Sequence, residues 1–363
     1  MLLDTLGAYS GAALAIGGLL IGIAFGWVVY ATNFCVMGSL SDIYNLEDWR
    51  RFRAWVLAAV IAMAVTTALH RSGLVPVERS MYLAPTVNWL GHIIGGAALG
   101  FGMVLTGGCP TRTLVRFGSG DLRSLVVLTT IGVAGFIMIG GLLAPARALM
   151  EQATAIDLKR FGIETQSVPA LLSLGHADRS PLIELVVAAV AFVAGLVFAL
   201  SDRSFVTSRK HVVSGIGVGL LVACGWALTG ALYDEFAARP LAPISLTFVR
   251  PLGDTLDWLE RYTAIPMPGF GVASVFGTVL GAAGASLAAG RFRVLGFADI
   301  ADLKTNLIGE SLMGAGGAMA LGCTIGQGIT GLSTLAIGAA ITTVALIAGG
   351  MAGLRHLERT LDV

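Results

Sequence analysis

Charge is scarce in this chain. Asp, Glu, Lys and Arg make up 12% of its 363 residues, about half the usual share. Lys and Arg number 23 against 22 Asp and Glu, for a net charge of +1. A nucleic-acid binder needs a basic face, so that class is excluded. Cysteine is also sparse, at 4 residues. None has the CxxC or Cys/His spacing of a zinc site. The 5 His are scattered, with no pair at helical metal spacing, so no metal site is expected. GxSxG, P-loop and HExxH are all missing, which argues against an ordinary hydrolase or ATPase. No cofactor is called for. The opening MLLDTLGAYSGAALAIGG lacks a basic n-region and does not read as a cleaved signal. Apolar residues and glycine are abundant, at 56% hydrophobic with 49 Gly. This is the composition of a polytopic protein solvated by membrane lipid.

About nine apolar runs are long enough to span a bilayer as helices. They cover 11–30, 54–69, 88–106, 124–145, 181–200, 212–231, 269–289, 305–322 and 332–353. The expected fold is an all-α integral membrane protein, with 1–363 forming a single membrane domain. The polar segments 42–53 (DIYNLEDWRRFR) and 254–263 (DTLDWLERYT) read as interfacial helices anchored by Trp and Arg. Lys and Arg favour the loops on the C-terminal side, which places the N-terminus outside and the C-terminus in the cytoplasm.

The chain also repeats itself. Aligned on cysteine, 95–109 (GGAALGFGMVLTGGC) matches 309–323 (GESLMGAGGAMALGC) at Gly95, Gly100, Gly102, Gly108 and Cys109 against Gly309, Gly314, Gly316, Gly322 and Cys323. A weaker echo pairs Gly18, Ala24, Gly26 and Trp27 with Gly217, Ala223, Gly225 and Trp226, and sets Cys35 opposite Asp234. The order is then a first half-repeat at 11–145, a linking span at 181–200 and a second half-repeat at 212–353. An offset of five spans makes the halves antiparallel. That is the inverted-repeat plan of many transporters, with the substrate path at the repeat interface.

Three segments break the helical pattern: ATNFCVMGSLSD (31–42), TGGCPTRTLVR (106–116) and GCTIGQGITGLST (322–334). Irregular backbone within a bilayer is tolerated only where protein buries it or water reaches it. Gly/Cys-containing loops dipping toward the membrane centre therefore point to a path through the protein. In the second, Gly107 and Gly108 allow a tight turn, and Pro110 suits the first turn of a helix. Cys109 would stand at that helix's N-terminus, where free N–H groups favour an anion, and Arg112 and Arg116 follow one turn apart. In the third, Thr324, Gln327 and Thr330 offer donors without formal charge beside Cys323. In the first, Asn33 and serines flank Cys35.

Blander readings stand beside these. A buried Cys is usually a small hydrophobe, and that reading is taken for Cys224. Most glycines serve close helix packing. Arg112, Arg116 and Arg123 could be simple cytoplasmic anchors. Glu310 is a functional candidate inside an apolar run, or a side chain that reaches water from the first turns of its helix.

NFCVMGSLSD, GGCPTRTLVR and GCTIGQGITGLS, in this order among nine spans, resemble the YeeE/YedE family of bacterial sulfur-transport membrane proteins. The resemblance covers roughly Gly17 to Gly353. It implies uptake of thiosulfate or a related sulfur species across the inner membrane. It also implies Gly-rich loops meeting at a waist, with Cys35, Cys109 and Cys323 each contacting the passing ion. A selenium species is an alternative substrate that the CPTR form brings in. A small TusA-like sulfur-carrier protein in the cytoplasm is the implied partner.

An isolated dianion in an apolar medium costs tens of kcal/mol, so a path must replace water with fixed donors. A thiol of ordinary pKa, about 8.5, is mostly protonated at neutral pH and can donate weakly to the terminal sulfur of thiosulfate. Three thiols at staggered depths would form a relay with Asn33, Gly107, Gly108, Arg112, Thr324, Gln327 and Thr330 lining it. The competing class is a membrane thiol sulfurtransferase, in which Cys109 beside Arg112 forms a persulfide. A scaffold without substrate is the third.

Overall fold

A computed structural model describes residues 2–173, 180–233, 242–296 and 300–361. Asp234, named in the weaker repeat echo, lies outside the described residues.

The described residues are mostly helical, with one two-stranded antiparallel pairing of β1 (Thr86–Val87) with β2 (Ile156–Asp157). The long first helix α1 (Leu2–Thr32) is followed by α2 (Val36–Leu46) and α3 (Arg50–Arg71). Next come α4 (Trp89–Leu105), α5 (Pro110–Gly118), α6 (Arg123–Ile139), α7 (Ala144–Thr154) and the short α8 (Val168–Leu172). After α9 (Ser180–Leu200) and the single turn α10 (Arg203–Val206), the second half runs through α11 (Arg209–Ala231), α12 (Val249–Glu260), α13 (Phe270–Ala288), α14 (Ile300–Met319) and α15 (Ile337–Leu361). The nine apolar runs overlap these helices, the run at 124–145 crossing from α6 into α7.

Among the described residues, seven helical stretches are long and apolar enough to cross a membrane, and an eighth qualifies if α6 and α7, bent by 57° at their junction, count as one. The protein is a multi-pass membrane protein. Helix α14 does not reach the same hydropathy, because Lys304 and Glu310 sit in its sequence. The span expected at 332–353 starts later, at Ile337, because a 3-10 turn at Leu332–Thr334 precedes it. The segment 42–53 is not one interfacial helix. Glu47 takes a left-handed φ of 53° and ends α2, and the Asp48 carboxylate accepts from the Arg50 N–H at 2.9 Å to open α3. The segment expected as a helix at 254–263 is the latter part of α12, which starts at Val249 and stops at Glu260.

Glycine sets how the helices meet. Helix α1 packs on α13, α11 on α3, α4 on α14 and α15, and α6 on α14 and α12. At the first of these seams a Cβ on Gly26 would stand 2.1 Å from the Thr278 carbonyl oxygen, and one on Gly281 2.0 Å from that of Ile23. Backbone touches backbone there, as in small-residue membrane interfaces. At the α4–α14 seam Gly95 faces the Gly316 carbonyl and Gly309 faces that of Gly102. Helix α9 rests on α3 and leaves Leu182, Val186, Val190, Val193 and Val197 exposed, an apolar face suited to lipid.

Candidate functional site

The three segments that leave helix geometry come together in the middle of the helix assembly. Each puts its cysteine where a helical stretch ends or restarts. Asn33 follows α1 in a left-handed conformation, φ 58°, which Asn tolerates better than most residues. Two residues on, Cys35 caps α2, and its sulfur accepts from the Gly38 N–H at 3.3 Å. Gly107, at φ 65°, makes the turn that ends α4. Cys109 then caps α5, with Pro110 in the first turn as the sequence suggested. The third segment passes Leu321, a non-glycine residue at φ 59°, before Cys323 accepts from the Gly326 N–H at 3.3 Å. A π-helical turn, Gly326–Gly331, follows. Short π segments of this kind recur at functional sites, and strained φ values persist only where the surroundings hold them.

Cys35, Cys109 and Cys323 are all buried free thiols. The Cys109 thiol faces the Cys35 thiol on one side and the Thr324 hydroxyl on the other. That hydroxyl is buried with no hydrogen-bond partner among the described residues. The residue before Thr324 is Cys323, with Thr247 Oγ1 4.0 Å from its sulfur and Tyr82 beside it. Neighbouring contacts therefore link Cys35 to Cys109 and Cys109 to Thr324, and Cys323 to Thr247 and Tyr82. Cys224 is exposed and away from these contacts.

The two ends differ in charge. Arg112 and Arg116 act on the Cys35 side, and Arg51 and Lys210 stand close enough to act on Arg112. Arg116 also clasps the second loop, donating from Nη2 to the Gly107 carbonyl at 2.9 Å. Gly108 lies against both arginines: a Cβ there would stand 3.4 Å from the Arg112 stem and from the Arg116 guanidinium, an ordinary contact.

Two of the expected donors are engaged elsewhere. The Gln327 side-chain N–H donates to the Ala320 carbonyl, and the Thr330 hydroxyl donates to the Leu246 carbonyl at 2.7 Å. Both brace the third loop. Trp226 joins that brace: its ring N–H donates to the Ser333 hydroxyl at 3.0 Å, and Ser333 donates to the Thr330 carbonyl at 2.7 Å. Tyr82 and Thr247 escaped the sequence reading, because they lie in irregular connections with no motif around them, and Trp226 entered it only through the repeat echo. Glu310 is buried among the helices, with Thr130 beside its carboxyl.

Three buried thiols on irregular segments between apolar helices mark the candidate site, and the whole chain is similar to known proteins. The sequence model of the Sulphur transport family matches residues 31–352. The chain belongs to this family. Among Sulphur transport relatives, the thiosulfate transporter TsuA of Escherichia coli strain K12 is 27% identical over 340 residues, covering 87% of each chain. TsuA of Spirochaeta thermophila is 26% identical over 351 residues, covering 92% of this chain and 96% of its own. The probable transporter YedE of Salmonella typhimurium is 29% identical over a shorter stretch of 107 residues, 29% of this chain and 24% of that one.

Proposed function

We propose that this Sulphur transport protein takes up thiosulfate or a closely related sulfur anion across the bacterial inner membrane, passing it along Cys323, Cys109 and Cys35. The observation that carries the reading is the line of three buried thiols, with the unpartnered Thr324 hydroxyl between the second and third. An anion in that line meets donors at each step, in place of the water it leaves behind. A thiol is a weak donor, so no station traps the ion. The relatives named as thiosulfate transporters support the substrate class.

The direction of travel follows from charge. Arg51, Arg112, Arg116 and Lys210 gather at the Cys35 end, the side on which α1 ends and α3 and α11 begin. Positive residues favour the cytoplasmic face, so the N-terminus lies outside, the C-terminus inside, and Cys35 is last on the way in. A TusA-like sulfur-carrier protein receives the sulfur there. The two half-repeats, 11–145 and 212–353, are related by an approximate two-fold axis in the membrane plane, with 181–200 linking them. The helix pairings support this: exchanging α1 with α11 and α3 with α13 turns the α1–α13 contact into the α11–α3 contact. The same exchange carries Gly95–Gly316 onto Gly309–Gly102.

Uptake of sulfur-labelled thiosulfate into proteoliposomes tests the reading, with unlabelled sulfate and selenite as competitors. Saturable uptake that Cys109→Ala abolishes in a folded protein is expected. Undiminished uptake in that variant would sink the relay, and block by selenite at equal concentration would move the substrate to selenium.

A further inference from the structure

Beyond Cys323 lies a cavity of about 100 Å³ that the thiol line does not use. Met81, Thr247, Arg250, Leu321 and Gly322 line it, with Arg147 at its wall. A water's share of liquid is about 30 Å³, so this space suits a small tetrahedral anion. Thr247 brings a hydroxyl to its lining, and Tyr82 stands beside Thr247, outside the lining itself. Thr247 is 2% exposed and Tyr82 3%. Apart from its neighbour Thr247, the Tyr82 hydroxyl has no hydrogen-bond partner among the described residues, although buried polar groups are nearly always paired. It sits beside Gly326, where a Cβ would stand 3.5 Å from it and 2.3 Å from Thr247 Oγ1. Only glycine leaves those two hydroxyls their shared space.

The orphan hydroxyl points to a ligand. Packing does not explain it: the Tyr82 ring already stacks edge-on against Trp226, with centroids 6.2 Å apart, and a phenylalanine would make that contact without burying an unpaired O–H. Charge at the mouth has the matching sign and little excess. Arg147 gives its N–H groups to the Met138 and Ile139 carbonyls and to Glu151, so it shapes the wall. Arg250 pairs with Asp254 at 3.6 Å and is 62% exposed, which leaves donors free toward the cavity.

We infer that Tyr82 and Thr247 form an anion-binding station outside Cys323, reading the oxygen end of a tetrahedral oxyanion while the Cys323 thiol meets its sulfur end. The station deepens the uptake reading and rests on it for the identity of the anion. Two hydroxyl donors and one thiol fix the ion's orientation before it enters the line. The sulfur end therefore leads toward Thr324 and Cys109.

The test uses Tyr82→Phe and Thr247→Val in the full chain. A hydrogen bond to a charged group is among the stronger ones, so each variant should raise KM for labelled thiosulfate uptake about ten-fold or more, with Vmax within about two-fold of wild type. KM unchanged in both folded variants overturns the station, and so does a fall in Vmax alone, which marks a structural role. If one variant fails to fold, the other decides. Equilibrium dialysis of thiosulfate against purified wild-type and Tyr82→Phe protein separates this proposal from the transport reading. Binding by wild type that the variant weakens supports the station even if liposomes show no uptake. Equal binding by the two overturns it even if uptake is robust.

Discussion

Replacing Thr330 with Val removes one hydrogen-bond donor and keeps the side chain's shape. The Thr330 hydroxyl holds the Leu246 carbonyl at 2.7 Å, and Leu246 is fully buried. No water reaches that carbonyl to take the donor's place. Leaving a buried acceptor unmade costs about 1–3 kcal/mol. Thr207→Val removes the same kind of bond, to the Arg203 carbonyl at 2.9 Å, at an exposed position. Water replaces the lost donor there, and the expected cost is within about 0.5 kcal/mol. Chemical unfolding of both purified variants in detergent micelles gives the two values side by side. The difference should be about 1 kcal/mol or more. Thr330→Val should also slow uptake, because the bond fixes the loop that carries Cys323 and Thr324. Equal losses in the two variants would show that the third loop does not depend on this brace.

Glycine substitutions should separate strain from collision. Gly107→Ala asks an L side chain to hold φ 65° with nothing closer than 4.0 Å, so it should cost about 1–2 kcal/mol in unfolding measurements. Gly102→Ala places a Cβ 2.4 Å from the Gly309 carbonyl oxygen and must push α4 from α14, so it should lower the melting temperature further. A water-soluble maleimide should leave all four thiols of the folded protein unmodified: Cys35, Cys109 and Cys323 are 9%, 2% and 0% exposed, and Cys224 lies mid-span on α11, where its thiol does not ionise. Mass spectrometry should find no adduct before unfolding and four after. Rapid adducts on Cys35, Cys109 or Cys323 in folded protein would contradict their burial.

Much of the architecture was legible because lipid imposes a simple rule: a spanning segment must be apolar and long. Seven of the expected runs coincide with helices long and apolar enough to span, and an eighth does if α6 and α7 count as one; the run at 305–322 does not reach that hydropathy. The Cys109–Pro110 junction was legible too, since Gly-Gly-Cys-Pro leaves the chain few options but to turn and restart. The local geometry of 42–53 was not. A single left-handed residue, Glu47, splits that segment, and Glu carries no signal for such a φ. The donors at 324–330 were readable as residue types, but their engagement was not. Whether Gln327 faces an ion or the Ala320 carbonyl depends on a loop fold seven residues long. Tyr82 and Thr247 were out of reach because they belong to irregular connections 165 residues apart in the sequence, and only the tertiary fold brings them to one cysteine.

The glycine seams have a mechanical consequence. Where side chains line an interface, two helices can slide by exchanging rotamers. Where Gly26 and Gly281 bring main chains together, no rotamer exists to exchange, and any shear lifts one carbonyl over another. Helices riveted in this way behave as a frame. The short non-helical stretches slung between them carry no such rivets, and they are where Cys35, Cys109 and Cys323 sit.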